Sequence, residues 1–393
     1  MNILSISTLY NKGGAADIAR TLHEGFNDKG FDSSYLAGYS DRFSRNDIRD
    51  EKVYFAVNKK GITTFLNYLS HKVIGKDFFS PNSQIIEDLM INKDIIICHT
   101  LHSHWLNFEN FFRLLKKKSA NKRILFVAHD SWHYTGRCAI INDCTDWQKG
   151  CIKCEHTDYY PSTLFSISKI EYQKKINLIK SIPNLEFISP SKWICEDLKR
   201  VYPNTKVSLV RNGIDTSIYN NIKIKEPTKD LEFCVSCVDI SQNGKVDLNL
   251  IEEILKLGLK IHFIGKNNPF QSYPNAINHG YISDKDKYID ILSKADCYLF
   301  TSKIDSYATT VIEAICAGNL IMYTKSKGAY EIMNSENKWL GYEFINLENF
   351  KTVIKSDKFK KDLINLTLRK KLQYQAFEFY SIDRLVKNYE NLF

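Results

Sequence analysis

Two carboxylates, Asp305 and Glu313, stand eight positions apart in the segment Asp305-Ser306-Tyr307-Ala308-Thr309-Thr310-Val311-Ile312-Glu313. The apolar residues Val311, Ile312, Ala314 and Ile315 suit a short buried helix that ends at Gly318. The start of such a helix offers an anion backbone N–H groups that lack intrahelical acceptors, and the positive end of the dipole. Ala308, Thr309 and Thr310 would present those groups. Glu313, one turn further in, could hold a ribose hydroxyl. Asp305, ahead of the helix, could reach a sugar on the other side of the phosphates. A phosphate cradle with a carboxylate on each side suits a sugar nucleotide. The alternative is a surface acid followed by an amphipathic helix.

Four further groups carry chemistry. His129-Asp130-Ser131-Trp132 follows a strand pattern over 124–128. Open α/β sheets bind ligands beyond the carboxyl ends of their strands, which places His129 to donate to a sugar hydroxyl. Its alternative is a structural histidine packed against Trp132. The first strand leads into Asn11-Lys12-Gly13-Gly14 and a helix. Gly13 and Gly14 let the backbone turn sharply and approach a ligand, or simply make the turn. His99, His102 and His104 follow the strand pattern 95–98, but their spacing in a loop is no recognisable ligand set, which favours hydrogen bonding or packing over metal. Cys138-x5-Cys144-x6-Cys151-x2-Cys154 is a structural Zn2+ candidate, since four thiolates satisfy a tetrahedral ion. Free thiols and disulfides remain open for the same four residues.

The elements that must position these residues are short apolar runs alternating with helical patterns. Strands are predicted over 2–7, 34–36, 95–98, 124–128, 185–188 and 207–210, then over 233–238, 260–264, 297–301 and 320–323. Helices are predicted over 16–29, 107–118, 191–201, 248–257 and 285–293. Strands separated by helices argue for parallel βαβ units, and two series argue for two doubly wound α/β domains. The polar run 220–229 with its Pro227 marks the boundary. This gives an N-terminal domain 1–220 with a Cys-rich insertion 135–162, a C-terminal domain 221–375, and a terminal helix 376–393.

Lys and Arg total 54 against 45 Asp and Glu, a net +9 that fits anionic substrates or an anionic membrane surface. The basic residues form no single stripe with aromatics, which argues against nucleic acid. Phe111-Phe112-Arg113-Leu114-Leu115-Lys116-Lys117-Lys118 is either a membrane-facing patch for a lipid-linked acceptor or a solvated helix end. The N-terminus reads as a strand rather than a signal peptide, and no window of eighteen apolar residues occurs. The expected location is the reducing cytosol, with peripheral contact at the inner face of the membrane.

The acid pair, the Gly-Gly loop, His129, and Arg211-Asn212-Gly213-Ile214-Asp215 together resemble family 4 of the retaining, nucleotide-sugar glycosyltransferases. That family carries Glu, seven residues, Glu, then Ala and a Gly-ended helix. Here Asp305 stands for the first Glu. Around the cysteines, His-Asp-x-Trp-x-x-Thr-Gly-x-Cys and Cys-x-x-Trp-x-x-Gly-Cys-x-x-Cys resemble a subgroup of colanic-acid, O-antigen and exopolysaccharide assembly.

The resemblance implies a GT-B fold, with two Rossmann-like domains facing across a cleft and the terminal helix returning to the first. It implies a hexosyl transfer with retention from a UDP- or GDP-sugar to a hydroxyl of a glycan or lipid-linked glycan, in capsule, lipopolysaccharide or exopolysaccharide synthesis. No catalytic metal is expected. Lys245 and the helix start at 308–310 would hold the diphosphate, Glu313 the ribose, Asp305 the donor sugar and His129 a sugar hydroxyl. The family's usual Arg before that lysine is missing, with Lys303 and Arg211 as stand-ins. Gly280 and the turn Gly328-Ala329-Tyr330-Glu331 match segments near the nucleotide. A non-catalytic zinc-stabilised sugar-nucleotide-binding protein and a GT-B-fold sugar-nucleotide epimerase remain as alternatives.

Overall fold

Asn2–Ser7 forms strand β1, and its side chains from Ile3 to Ser7 are buried on both faces. That pattern belongs to a parallel strand covered by helices on either side. The computed structural model describes residues 1–10, 13–39, 50–57, 61–80, 83–227, 230–242, 244–334 and 339–393. Asn11 and Lys12 of the first glycine loop, Thr228 and Lys229 of the polar run, and Asn243 beside Lys245 lie outside the described residues.

Among the described residues there are two all-parallel sheets. The first runs β3-β2-β1-β4-β5-β6-β7, with β2 Asp32–Tyr39, β3 Val53–Val57, β4 Ile95–Cys98, β5 Arg123–Val127, β6 Leu185–Ser189 and β7 Lys206–Leu209. The second runs β10-β9-β8-β11-β12-β13, with β8 Glu232–Asp239, β9 Lys260–Lys266, β10 Ala276–Gly280, β11 Cys297–Phe300, β12 Leu320–Thr324 and β13 Gly341–Phe344. Both are doubly wound, as the alternating strand and helix patterns predicted. In each, strand order reverses once, between β1 and β4 and between β8 and β11. Loops leaving the carboxyl ends of those strands are where an open α/β sheet takes its ligand.

The second sheet separates two apolar layers. Cys234, Tyr298 and Ile321 face one core with Val311, Ile312 and Ile315 of the helix Thr309–Cys316. Phe233, Cys297 and Leu320, one residue earlier on the same three strands, face the other with Ile251 and Ile254. Alternation by one residue across a pleated strand produces this division.

The chain divides into Met1–Arg211 with Val386–Phe393, and Asn212–Leu385. The division falls ahead of the polar run read as the boundary. Gly213 lies against the carbonyls of Tyr380 and Ser381, and Ile214 donates its N–H to the Tyr380 carbonyl at 2.8 Å, which holds residues 212–220 in the second unit. The terminal stretch is two helices, Leu366–Phe379 and Ile382–Glu390, rather than one.

Two further readings meet the fold. The edge strands β3, β10 and β13 lie outside the ten predicted apolar runs. Phe111, Phe112 and Leu115 on the helix Phe108–Lys118 are buried in the first unit's core, so this helix offers no apolar face to a membrane. Lys116, Lys117 and Lys118 occupy its last turn, where cations suit the dipole.

Candidate functional site

In the second unit, Lys245 follows β8 and Asp305 follows β11, so the two loops at the switch point meet. The Lys245 ammonium lies 3.0 Å from Asp305 Oδ2. The neighbouring carboxylate raises the Lys245 pKa, more than burial lowers it. Three backbone devices hold this contact. Gly244, at φ +82, accepts from the Lys303 N–H at 2.9 Å and from the Ser302 hydroxyl at 3.1 Å through its carbonyl. Asp247 caps the helix Leu248–Leu255 by accepting from the Leu250 N–H, and donates its own N–H to the Thr301 hydroxyl. Asp305 Oδ1 accepts from the Tyr307 N–H at 3.1 Å, which fixes the carboxylate over its own turn.

The helix Thr309–Cys316 begins as the sequence implied, with Ala308 in the cap position and no side-chain cap. Thr309 and Thr310 are part-exposed while Val311 and Ile312 are buried, so the helix start stays open as its body is held. Glu313 Oε2 accepts from the Tyr288 hydroxyl at 2.9 Å, and Lys285 Nζ lies 3.4 Å from Oε1. The Tyr288 hydroxyl is also 3.0 Å from Ser236 Oγ, and the Tyr298 hydroxyl donates to the Ser236 carbonyl. Burial, then the Glu313 charge, pushes the Tyr288 hydroxyl well above its ordinary pKa, so it remains a donor.

Sequence reasoning missed Tyr288, Ser236 and the role of Gly328. Tyr288 lies on the buried face of a correctly placed helix, where nothing distinguishes it from packing. Gly328 is the second residue of the helix Lys327–Met333, and a Cβ there would come within 2.6 Å of the Asp305 carbonyl oxygen. Of the stand-in bases, Lys303 is exposed beside Gly244, whereas Arg211 belongs to the first unit and donates to the Pro190 carbonyl at 2.7 Å.

In the first unit the loops after β1 and β4 flank the switch point, and the β5 loop lies next to them. Gly13 takes φ +89 as the cap of the helix Gly14–Asp28, a conformation that L side chains avoid. Its carbonyl accepts from the Asp17 N–H at 3.0 Å, and both Gly13 and Gly14 are exposed. The buried His129 stacks on His99, with ring centres 5.2 Å apart and His99 Nδ1 2.9 Å from His129 Nε2. Burial lowers the His129 pKa to about 4, so the pair is neutral near pH 7 and shares a single hydrogen bond. Asp130, against its burial, is held at about 2 by His102, whose Nε2 lies 2.9 Å from Asp130 Oδ2.

The four clustered cysteines are free thiols in this structure. Cys151 Sγ accepts from the Gly136 N–H at 3.2 Å. Burial opposes it, but Ser166, the His156 N–H, Ser168 and Arg137 bring Cys154 below its ordinary pKa. Burial pushes the other three thiols up, Cys138 to about 12, Cys151 to about 11 and Cys144 in the same direction. Among the described residues, though, the one set of three or more His, Cys, Asp or Glu with ligand atoms within 4.8 Å is His71, Asp77 and His104. Zinc binding would therefore draw the thiols closer together. His104, read from the sequence as a hydrogen-bonding or packing residue, belongs to that other set.

No protein-family model matches the chain. It is 27% identical over 346 residues to WcaC of Escherichia coli (strain K12), described as a colanic acid biosynthesis glycosyl transferase, covering 85% of each chain. The structure of Anabaena HepE in complex with UDP and glucose superposes with a TM-score of 0.64 at 14% identity, over 100% of this chain and 99% of that one. The lipopolysaccharide outer core galactosyltransferase WaaB, in its apo form, superposes with a TM-score of 0.60 at 14% identity, over 100% and 98%. The fold is GT-B, and the chain resembles glycosyltransferases of surface polysaccharide assembly.

Proposed function

We propose that this glycosyltransferase-like chain moves a hexosyl group from a UDP- or GDP-sugar to a hydroxyl of a glycan or lipid-linked glycan, with retention at the anomeric carbon. The observation that carries the reading is the meeting of Lys245 and Asp305 beside the uncapped start of the helix Thr309–Cys316, at the switch point of the second sheet. That place suits a diphosphate: an ammonium, the backbone N–H groups of the part-exposed Thr309 and Thr310 and a dipole end lie at it.

The roles follow from the chemistry. Lys245 and the N–H groups at 308–310 stabilise the charge that builds on the leaving diphosphate. Glu313, oriented by Tyr288, accepts from the ribose hydroxyls. Asp305 orients the donor sugar, and His129, neutral and paired with His99, hydrogen-bonds a sugar hydroxyl. The acceptor attacks from the face that the diphosphate leaves, and the departing phosphate oxygen takes the acceptor's proton. Positioning and charge stabilisation supply the rate, with no carboxylate nucleophile.

Peripheral contact with the acceptor's membrane is proposed for a surface other than residues 111–118. Ile62 and Phe65 on the helix Ile62–Ile74 are 78% and 58% exposed, and Leu164 and Phe165, tied to its end through the Lys72 and Val73 carbonyls, are 70% and 67% exposed. With a net charge of +9, this apolar face suits peripheral contact with an anionic bilayer. Among the described residues no helix is long and apolar enough to cross one. Cys138, Cys144, Cys151 and Cys154 are proposed as a structural Zn2+ set, supported by the donors aimed at Cys151 and Cys154 and tested by metal analysis of the purified protein.

A thermal-shift screen against UDP, GDP, CDP and their sugar conjugates tests the main reading. A ligand that binds the folded state raises its melting temperature by mass action. The expected result is a shift with one base, lost in Glu313→Ala, and donor turnover lost in Asp305→Ala. Full activity in both variants would refute the assignment.

A further inference from the structure

The helix Ile62–Ile74 is inside out. Its large apolar residues face solvent, and its only buried residues are the polar Asn67 and His71. Apolar burial therefore cannot be what holds this helix to its unit. The polar pair takes over that task. Asn67 accepts from the Phe78 and Phe79 N–H groups and donates to the Phe79 carbonyl, each at 2.9 Å. One turn on, the His71 side chain meets Asp77 and His104. His71 Nδ1 lies 3.2 Å, and His104 Nδ1 3.5 Å, from the same oxygen, Asp77 Oδ1.

These separations suit ligands of one ion. In a tetrahedral site with ligands at ~2.0–2.1 Å, neighbouring ligand atoms lie ~3.3 Å apart. By contrast 3.5 Å is long for a hydrogen bond, and His104 Nδ1 is buried with no hydrogen-bond partner. The backbone is bent to bring that ring in. Ser103 and His104 both take positive φ, 87° and 70°, in the region non-glycine residues avoid.

We propose that His71, Asp77 and His104 bind a divalent transition cation of the Zn2+ class, with a water in the fourth position, and that this ion clips the inside-out helix to the loop after β4. The site is independent of the cysteine cluster and of the glycosyl-transfer reading. Its chemistry is imidazole and carboxylate, and it requires no thiolate.

The test uses the full-length protein stripped by chelation and then dialysed against Zn2+ or Co2+ with metal analysis. Asp77→Asn and His104→Gln should each bind one equivalent less than the parent, while Cys151→Ser should keep that equivalent. The cobalt lost in the two variants should account for d–d absorption without a thiolate charge-transfer band. In the parent, metal should slow amide exchange across the helix Ile62–Ile74 at least tenfold. Equal stoichiometry in parent and both variants, or bound metal that leaves that exchange unchanged, would overturn the proposal. Should one variant fail to fold, the other and the exchange experiment on the parent still decide it.

Discussion

Gly328→Ala offers a sharp test of how Asp305 is held. The added methyl would sit 2.6 Å from the Asp305 carbonyl oxygen, 3.0 Å from its carbonyl carbon and 3.1 Å from its Cβ. All three atoms belong to one turn, and two are backbone, so no side-chain rotation relieves the clash. A Gly-to-Ala change inside a helix contributes up to ~1 kcal/mol of stability by propensity. Overpacking of this kind costs ~1–3 kcal/mol. The net expectation is a loss of up to about 2 kcal/mol, a fall in melting temperature of up to roughly 8 °C for a unit of this size. The functional effect should be larger. The Asp305 turn must move by several tenths of an ångström, and misplacements on the order of 1 Å cost ~100-fold in rate. Turnover of the donor, measured well below the melting temperature, should fall at least tenfold. In an Asp305→Ala background the same substitution should add little, because its route to activity is gone. An undiminished effect in that background would refute the reasoning, as would parental turnover in Gly328→Ala itself.

Tyr288→Phe keeps a buried ring and removes the 2.9 Å donor to Glu313 Oε2; nucleotide affinity should weaken about five- to tenfold in a titration, and unchanged affinity would detach Tyr288 from the site. Burial places His129 at about 4 and His133 at about 3, below the ~6.5 of an unfolded histidine. The unfolded chain binds more protons in that window, so stability is complete above pH ~6.5 and is lost as pH falls toward 4. Melting curves across that range should show the slope, and His129→Gln should flatten it; an unchanged slope would contradict the burial argument. Phe65→Ser with Leu69→Ser should weaken co-sedimentation with anionic vesicles by roughly tenfold or more while leaving nucleotide binding intact. Equal sedimentation would remove this face as the membrane contact.

Ten strands were marked in the sequence by their apolar runs, because a strand buried on both faces reads as a continuous apolar stretch. The edge strands β10 and β13, AINHG and GYEF, break their apolar runs with polar residues and glycine, and β3 was passed over although it is mostly buried. The short helix after Asp305 was legible from Val311, Ile312, Ala314 and Ile315 alone, and it begins where its small residues suggested. What the sequence could not disclose were contacts between residues distant in the chain. Nothing near Lys245 announces Asp305, sixty positions on, at 3.0 Å. The same holds for His99 beneath His129, and for His104 beside His71 and Asp77. For residues 111–118 the structure favours the solvated helix end over the membrane patch, for a related reason. Apolar residues at helical spacing say that a face is covered, and only the fold says whether protein or something else covers it.

The pairing of Lys245 with Asp305 alters the electrostatics of the proposed diphosphate site. With its partner ionised, the pair carries no net charge, so Lys245 is no free cation waiting for phosphate. Yet an ammonium has three donors, and Asp305 engages one oxygen with it while the other accepts from the Tyr307 N–H. Two donor directions of Lys245 therefore remain for a ligand. The shorter side chain of aspartate keeps the carboxylate close to its own turn and near the lysine, at the expense of reach toward a sugar. Charge compensation must then come from elsewhere: from the N–H groups at the start of the helix Thr309–Cys316, and from Lys303, exposed on the loop that Gly244 ties to the Lys245 turn. Lys303→Ala should for that reason weaken nucleoside diphosphate binding more than nucleoside monophosphate binding, by roughly threefold to tenfold in titrations at low salt, with the difference shrinking as ionic strength rises. Equal losses for the two ligands would leave Lys245 and the helix start to hold the diphosphate without it.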